Sequence, residues 1–543
     1  MLIFEWIVGV LFGAVLLAAL ARRIGAPYPA LLALGGVGIA FMPGVPNLTF
    51  DPELALALFL APVLMDAGKG SSLRDLMRNA RPIAGLALGA VVVTTVAVAG
   101  VAKLLVPDMP LPAAIVLGAI VAPPDAVAAL SVLAHVKLPH RLVTILRGES
   151  LLNDAGSLLI YRLGVTAAMT GHFALAEVAP TFLIEVVGSL VAGPVLAWLY
   201  LKAMRRFEDP ASFIVMQFAA AFGIWIAAEA AGLSGVLTIV SFALTVSRHA
   251  PGQTPPRTRI LSNAVWDTAV FGLNVLAFVL IGNQIGPLLE RVGEAERVSY
   301  TVVAAAVVLT VVLVRIAWVL PASGIRRIGF SDHRPEGAGS VLDIGAAFRK
   351  GLAHKKKTGA SDLGPGAAFA VSWSGMRGLV TIATALALPA GDGQGQGGFP
   401  YRDLIVLTAF CTVIGTLVVQ GLTLRPLLAR LGLKDTDPVG HEVGWGRAEA
   451  YGAALESLEG DDSEAAEALR TEFRTALEQA EAHESGLAPD ALPADEARLR
   501  AVGAARDRIM TLREAGRIGD DAYYVLEEEF DWAELNATPR GGT

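Results

Sequence analysis

Long apolar segments alternate with short polar connections over most of the chain. Each segment of roughly 20 residues can cross a hydrocarbon core of about 30 Å as a helix. Backbone groups in lipid must bond to one another, and the alternating pattern of a barrel strand is absent, so these segments are predicted to be helices. The pattern predicts an all-α polytopic membrane protein of about 13 transmembrane helices, near residues 3–21, 29–43, 52–67, 80–105, 111–134, 149–170, 174–204, 211–230, 232–247, 264–288, 298–322, 364–389 and 402–424.

Composition agrees with this pattern. The 543 residues are 54% hydrophobic and 17% charged, whereas a soluble domain carries about 25% charged residues. The single Cys411 lies in an apolar segment, which excludes a disulfide framework. The first segment lacks a basic leader and a small-residue cleavage site, so it is interpreted as a retained span rather than a signal peptide.

Charge divides the chain into two parts. Residues 441–543 hold 24 acidic and 10 basic side chains, a net −14, which against −7 for the whole chain leaves +7 for residues 1–440. We therefore predict a transmembrane domain over 1–434 and an acidic, helical cytosolic tail over 435–543. Helical spacing in the tail covers Glu464–Glu481, Asp495–Glu514 and Asp520–Glu534. A solvated appendage is the first interpretation of this tail, with regulation or dimer contact as alternatives.

Basic residues mark one side of the predicted membrane. They concentrate after odd-numbered spans, from Arg22 and Arg23 to Arg425, Arg430 and Lys434, whereas connections after even-numbered spans hold only Lys103, Arg291, Arg297 and Arg402. The positive-inside rule then places the N-terminus outside and the tail in the cytoplasm, in a cell inner membrane.

Ionisable groups at membrane depth are costly and mark ion pathways. They cluster in spans 3, 5, 6 and 12, as Asp66, Asp125, Glu149, Asp154, Arg162 and Arg377, with Ser150 and Asn153 in the same turn as Asp154. Ser150 and Asp154 are four residues apart and share a helix face. Their oxygens suit a hard cation such as Na⁺. A structural ion pair is the favoured role of Glu149, with Arg377 as a candidate partner, and Asp66 at its span end could instead extend to the interface.

Spans 5 and 12 are both expected to be interrupted. Pro123 and Pro124 remove backbone donors in mid-span, and Gly375 and Gly378 weaken span 12 around Arg377. The two spans would run in opposite directions. Two broken helices in corresponding places of inverted halves indicate a transporter's binding site, where half-helix dipoles could balance Asp125 and Arg377.

Three motifs carry a family resemblance. PPDAVAA (Pro123–Ala129), GESLLND (Gly148–Asp154) and GMRG (Gly375–Gly378) resemble those of bacterial Na⁺/H⁺ antiporters of the NhaP type, which are related to eukaryotic sodium/proton exchangers. The resemblance covers roughly residues 1–434. It implies a 13-span inverted-repeat fold, usually dimeric, with a core domain that moves against a dimer domain.

The resemblance also implies roles for individual residues. The ion- and proton-binding carboxylate of that family corresponds to Asp154. The asparagine that precedes it in electroneutral members corresponds to Asn153. Two further site positions of the family correspond to Asp125 and Ser150. Arg377 matches an arginine that often stabilises the motif glutamate, here Glu149. Two positions depart from the family pattern and bear on selectivity among cations. Pro124 stands where many relatives have threonine, and the carboxylate of span 3 is Asp66, whereas it is often glutamate in relatives.

These features predict exchange of Na⁺, or of Li⁺ or K⁺, for protons. The predicted binding residues are Asp154, Asp125, Ser150, Asp66 and Pro124, of which Asp154, Ser150 and Asp66 would ligate the cation. Asn153, Glu149 and Arg377 would support the site. A K⁺/H⁺ antiporter is the alternative, and a cation channel or a transporter-derived sensor is a more distant one. No cofactor and no nucleic-acid partner are predicted. An enzyme is disfavoured because HExxH and GxSxG motifs are absent from the spans.

Overall fold

The chain divides into two compact units, Met1–Lys434 and Asp435–Thr543. In this computed structural model the described residues are 2–42, 52–125, 128–130, 139–171, 175–207, 209–249, 254–325, 365–389, 398–432, 438–482, 493–515, 517 and 520–537. Every regular element in those ranges is helical, which confirms the prediction of an all-α protein.

The first unit is a helical bundle. Its elements are α1 (Leu2–Ile24), α2 (Tyr28–Ala40), α3 (Pro52–Lys69), α4 (Leu73–Arg78), α5 (Ala80–Ala84), α6 (Val91–Leu105), α7 (Leu111–Val121), α8 (His140–Thr170), α9 (Leu175–Met204), α10 (Pro210–Ala230), α11 (Gly235–His249), α12 (Pro256–Asn283), α13 (Ile285–Arg291), α14 (Glu294–Ile325), α15 (Pro365–Trp373), α16 (Leu379–Leu386) and α17 (Arg402–Leu431). A π-helical stretch, Gly85–Ala90, joins α5 to α6.

Six described helices are long and apolar enough to cross a membrane. They are Ala80–Leu105, Pro180–Met204, Pro210–Ala230, Arg257–Asn283, Glu296–Pro321 and Arg402–Leu431. Shorter apolar helices, which include α2, α7 and α11, lie within other predicted spans. The number thirteen stays a prediction, since α7 and the α15–α16 pair are interrupted and residues 131–138 lie outside the described ranges.

Close helix packing depends on small residues where α2 crosses α12. A Cβ atom at Gly36 would overlap the carbonyl oxygen of Val279, and one at Gly282 would overlap that of Ala33. Glycine lets two backbones approach this closely, which is how helices associate in lipid without a hydrophobic driving force.

Two buried apolar clusters stabilise the bundle. The larger cluster joins α2, α7, α14 and α17. The smaller cluster joins α3 to α10 and α11 around Trp225, Phe242 and Trp266. The candidate site lies on helices that belong to both clusters, since Leu146 of α8 contributes to the larger one and Leu151 to the smaller.

The described residues of the second unit form four helices, α18 (Pro438–Ser457), α19 (Glu464–Ala482), α20 (Pro493–Glu514) and α21 (Asp520–Ala537). The helix α18 packs on α19, and α20 packs on α21. Asp461 accepts a hydrogen bond from the backbone N–H of Ser463 at 2.9 Å, which lowers the pKa of its carboxyl group. The three helices predicted for the tail are confirmed, and α18 is a helix that the sequence analysis did not predict.

Candidate functional site

The interruptions of the two broken helices lie against each other. The helix α7 ends at Val121, and four residues further on the backbone N–H of Asp125 donates to the carbonyl oxygen of Met376 at 2.7 Å. Met376 lies between the end of α15 at Trp373 and the start of α16 at Leu379. The predicted interruptions are therefore confirmed, and they form one crossing point inside the bundle.

Arg377 binds the carbonyl end of α7. Its side chain is 1% exposed, and it donates to the carbonyl oxygens of Val121 at 3.0 Å and Ala122 at 3.2 Å and contacts that of Gly375. The last carbonyls of a helix lack intrahelical partners and carry its negative dipole end. The guanidinium therefore satisfies and balances the end of this half-helix.

Asp125 lies at the start of α16. Gly378 is the residue before that helix, and a Cβ atom there would overlap the carboxylate of Asp125. The positive end of a helix dipole favours a nearby anion. Arg377 and Asp125 thus occupy opposite half-helix ends, which is the arrangement predicted from the two motifs.

The helix α8 presents the polar side chains of its motif toward this crossing. The Asn153 side chain is fully buried, and its Nδ2 donates to the carbonyl oxygen of Pro124 at 2.7 Å. Its Oδ1 has no hydrogen-bond partner among the described residues. Asp154 is next in the chain and 6% exposed. Asn153 therefore connects the helix that bears Asp154 to the interruption of α7.

Glu149 pairs with Arg315, not with the predicted Arg377. Arg315 lies in α14 and donates to both carboxylate oxygens of Glu149, at 2.6 and 2.8 Å, and to the carbonyl oxygen of Val371 at 3.3 Å. The direct partners of Arg377 are backbone carbonyl oxygens rather than the Glu149 carboxylate. The ion-pair role of Glu149 agrees with the prediction, but the partner named there was wrong.

Arg315 is the main residue that the sequence analysis missed. It lies in the apolar stretch VVLVRIAWVL, and a charge in the middle of a span is a recognisable signal of function or pairing. The signal did not identify the partner, because the rotation of α14 about its axis decides which neighbour the guanidinium meets.

A cavity of about 70 Å³ brings together four of the five predicted binding residues. Its lining includes Asp154, Asp125, Ser150 and Pro124, along with Pro123, Arg147, Gly378, Thr381 and apolar residues of α3. Two carboxylates and a hydroxyl therefore line one small space, and such oxygens can hold a hard cation.

Asp66 is not among the residues that line this cavity. Val63, Leu64 and Ala67 of the same helix do line it, whereas the charged groups that act on Asp66 are those of Asp267, Lys69 and Arg147. Within the described ranges, no group of three His, Cys, Asp or Glu side chains could hold a metal ion. The role predicted for Asp66 as a ligand beside Asp154 and Ser150 therefore stays a prediction.

These features define a class of protein. Two broken helices that cross in mid-bundle beside buried carboxylates form the binding site of secondary transporters. The family follows from the sequence: residues 10–430 match the family described as sodium/hydrogen exchanger, transmembrane. The chain belongs to this family.

Similar proteins agree with this membership. The chain is 28% identical to the sodium, potassium, lithium and rubidium/H⁺ antiporter of Bacillus pumilus, over 94% of this chain and 74% of that protein. It is 27% identical to the Na⁺/H⁺ antiporter ApNhaP of Aphanothece halophytica, over 75% and 70%. The fold is similar to that of the sodium proton antiporter MjNhaP1 of Methanocaldococcus jannaschii, with a TM-score of 0.58 at 16% identity over 80% of this chain and all of that one.

Proposed function

We propose that the protein exchanges a monovalent cation for protons at one site centred on Asp154. The observation that supports this most directly is the cavity in which the buried Asp154 meets Asp125, Ser150 and the Pro123–Pro124 interruption. Membership of the sodium/hydrogen exchanger family favours exchange over a channel or a sensor.

The mechanism follows from the cost of a buried charge. Burial disfavours the ionised form of a carboxylate, and an uncompensated ion in a low-dielectric interior costs several kcal/mol. A proton or a cation bound to Asp154 removes that penalty, so the loaded site can pass between the two membrane faces while the empty, charged site moves poorly. This difference couples the two fluxes.

The residues around Asp154 supply the rest of the proposed site. Ser150 lies one helical turn earlier and contributes a hydroxyl oxygen, and Asp125 contributes a second carboxylate next to the start of α16. Pro124 lines the cavity, but its carbonyl oxygen already accepts from Asn153. Asn153, Arg377 and the Glu149–Arg315 pair hold these groups in position.

The neutral amide of Asn153 supports electroneutral exchange. It adds no charge beside Asp154 and is fixed to Pro124. One monovalent cation replaced by one proton on Asp154 leaves the charge of the site unchanged. We propose Na⁺ as the main substrate with K⁺ and Li⁺ as further candidates, because the Bacillus pumilus relative is named for sodium, potassium, lithium and rubidium. We also propose an inner-membrane homodimer with a cytoplasmic tail, on the strength of the basic loops and the family resemblance.

The test is reconstitution of the full chain in liposomes with a pH-sensitive dye. Pulses of Na⁺, Li⁺, K⁺ and Rb⁺ against a proton gradient, with the potential clamped or free, measure selectivity and charge balance together. Asp154→Asn should abolish exchange, since the amide cannot take up a proton. Asp108→Asn, the same change at an exposed position between α6 and α7, should retain it. Exchange by a folded Asp154→Asn protein would refute the assignment.

A further inference from the structure

A second, larger cavity lies among the ends of five helices. It measures about 300 Å³ and is bounded by α3, α9, α10, α11 and α12. It shares no lining residue with the cavity at Asp154. Its volume falls at the lower end of the roughly 300–1,000 Å³ typical of small-molecule sites.

One wall of this cavity is cationic. Lys69, Arg205 and Arg259 line it together with hydroxyl and amide side chains, and no acidic side chain is among its described lining residues. Such donors in one concave surface are the chemistry that recognises phosphate groups.

Lys69 is held in place by neutral groups. Its Nζ donates to Oε1 of Gln217 at 3.2 Å and lies 4.1 Å from the centroid of the Trp266 ring. Gln217 is itself buried and is fixed by Ser262, whose Oγ donates to the same oxygen at 3.0 Å, and by the indole N–H of Trp266. An amide and a ring orient the ammonium, and Asp66, the acidic side chain whose charge acts on Lys69, is not among the residues that line the cavity. A rigid cation therefore faces the cavity.

The opposite wall is apolar. Tyr200, Leu201, Met204, Phe213 and Val246 form it. Just before these residues on α9, Trp198 and Leu199 are exposed, as expected for a helix surface in contact with acyl chains. A ligand with a phosphate group at one end and a hydrocarbon at the other matches both walls.

We infer that this cavity binds a phosphate-bearing anion, with its phosphate oxygens at Lys69, Arg205 and Arg259. Two sources share this chemistry, the headgroup of an anionic phospholipid and a free phosphate from solution. The cavity and the ion site are connected through α3, which carries Lys69 at its end and lines the Asp154 cavity with Val63, Leu64 and Ala67. An anion bound at Lys69 would therefore contact a helix that also forms part of the wall of the transport site.

Binding is tested on the full chain in detergent, without any measurement of exchange, so the result is independent of the proposed function. In one arm, native mass spectrometry counts bound dioleoyl-phosphatidylglycerol against dioleoyl-phosphatidylcholine. In the other, the apparent Tm is followed during titration with inorganic phosphate at constant ionic strength. The test variant is Lys69→Gln with Arg259→Gln. The control is Arg78→Gln, on an exposed position of α4 outside the cavity.

The expected result is saturable binding of phosphatidylglycerol or of inorganic phosphate that weakens at least tenfold in the double variant and is unchanged in the control. The arm that responds identifies the source. If the double variant does not fold, the two single variants are measured instead, each with an expected severalfold loss. Two results would overturn the inference. One is that each probe binds the wild type and the folded variants equally well, and the other is that neither probe binds the wild type.

Discussion

Arg315 and Glu149 form a buried bidentate ion pair between α14 and α8, with N–O distances of 2.6 and 2.8 Å. The same guanidinium donates to the carbonyl oxygen of Val371 in α15. One side chain therefore ties together the helix that carries Asp154, the first half of the second broken helix, and α14. Neither partner lines the cavity at Asp154, so the pair connects the helices around the site without touching the bound ion.

We expect Arg315→Gln to destabilise the protein strongly. Loss of one partner leaves the Glu149 carboxylate buried and unpaired, which costs about 3–5 kcal/mol. The control is Arg74→Gln, which removes a partner of Asp75 at 3.7 Å in α4, between two predicted spans, where the arginine side chain is 63% exposed, a class of pair worth about 0–1 kcal/mol. Unfolding in detergent measures both. Equal losses of stability would contradict a structural role specific to Arg315.

A methyl group at Gly378 should slow exchange strongly. Its Cβ would overlap the Asp125 carboxylate, so Gly378→Ala must push Asp125 away from the start of α16. The expected result is a loss of at least tenfold in exchange rate in a protein that still folds. Gly100→Ala, in α6 with no atom within 4 Å of the added Cβ, should exchange like the wild type. Normal exchange by Gly378→Ala would mean that the placement of Asp125 is unimportant.

Asp66→Asn should have a milder effect than Asp154→Asn. Asp66 does not line the cavity, but its neighbours on α3 do. We expect the half-saturating cation concentration to rise severalfold, because a negative charge near the site is lost, while the maximal rate is retained. Liposome assays over a range of Na⁺ concentrations separate the two quantities. Complete loss of exchange would instead make Asp66 a direct ligand.

Local chemistry made part of the site predictable. Proline and glycine interrupt helices through their own backbone, so the breaks around Pro124 and Gly378 followed from sequence alone. The spacing of Ser150 and Asp154 likewise placed both on one face, and both line the cavity.

Contacts between distant segments could not be predicted in the same way. The partner of Glu149 and the position of Asp66 depend on how each helix is rotated about its axis. A span that is apolar on almost every side gives no sequence signal for that rotation. The helix α8 also extends beyond the predicted span, since it begins at His140 rather than near residue 149. Hydropathy detects only the part of a helix in lipid, whereas this polar first turn is held by contacts of His140 with Asp75 and of Arg141 with Asn79.

Competition at Asp154 predicts how the cation dependence of exchange changes with pH. If a proton and Na⁺ exclude each other from one carboxylate, acidification should raise the half-saturating Na⁺ concentration, approaching about tenfold per pH unit where the proton-bound form dominates. Saturating Na⁺ should overcome the inhibition, because it displaces the same proton. Initial rates in liposomes at several pH values and Na⁺ concentrations measure this shift, with Asp108→Asn as the matched control. Two independent sites would give a different result: the maximal rate would change with pH while the half-saturating concentration stayed constant. Asp154 would then not be the residue on which both ions compete.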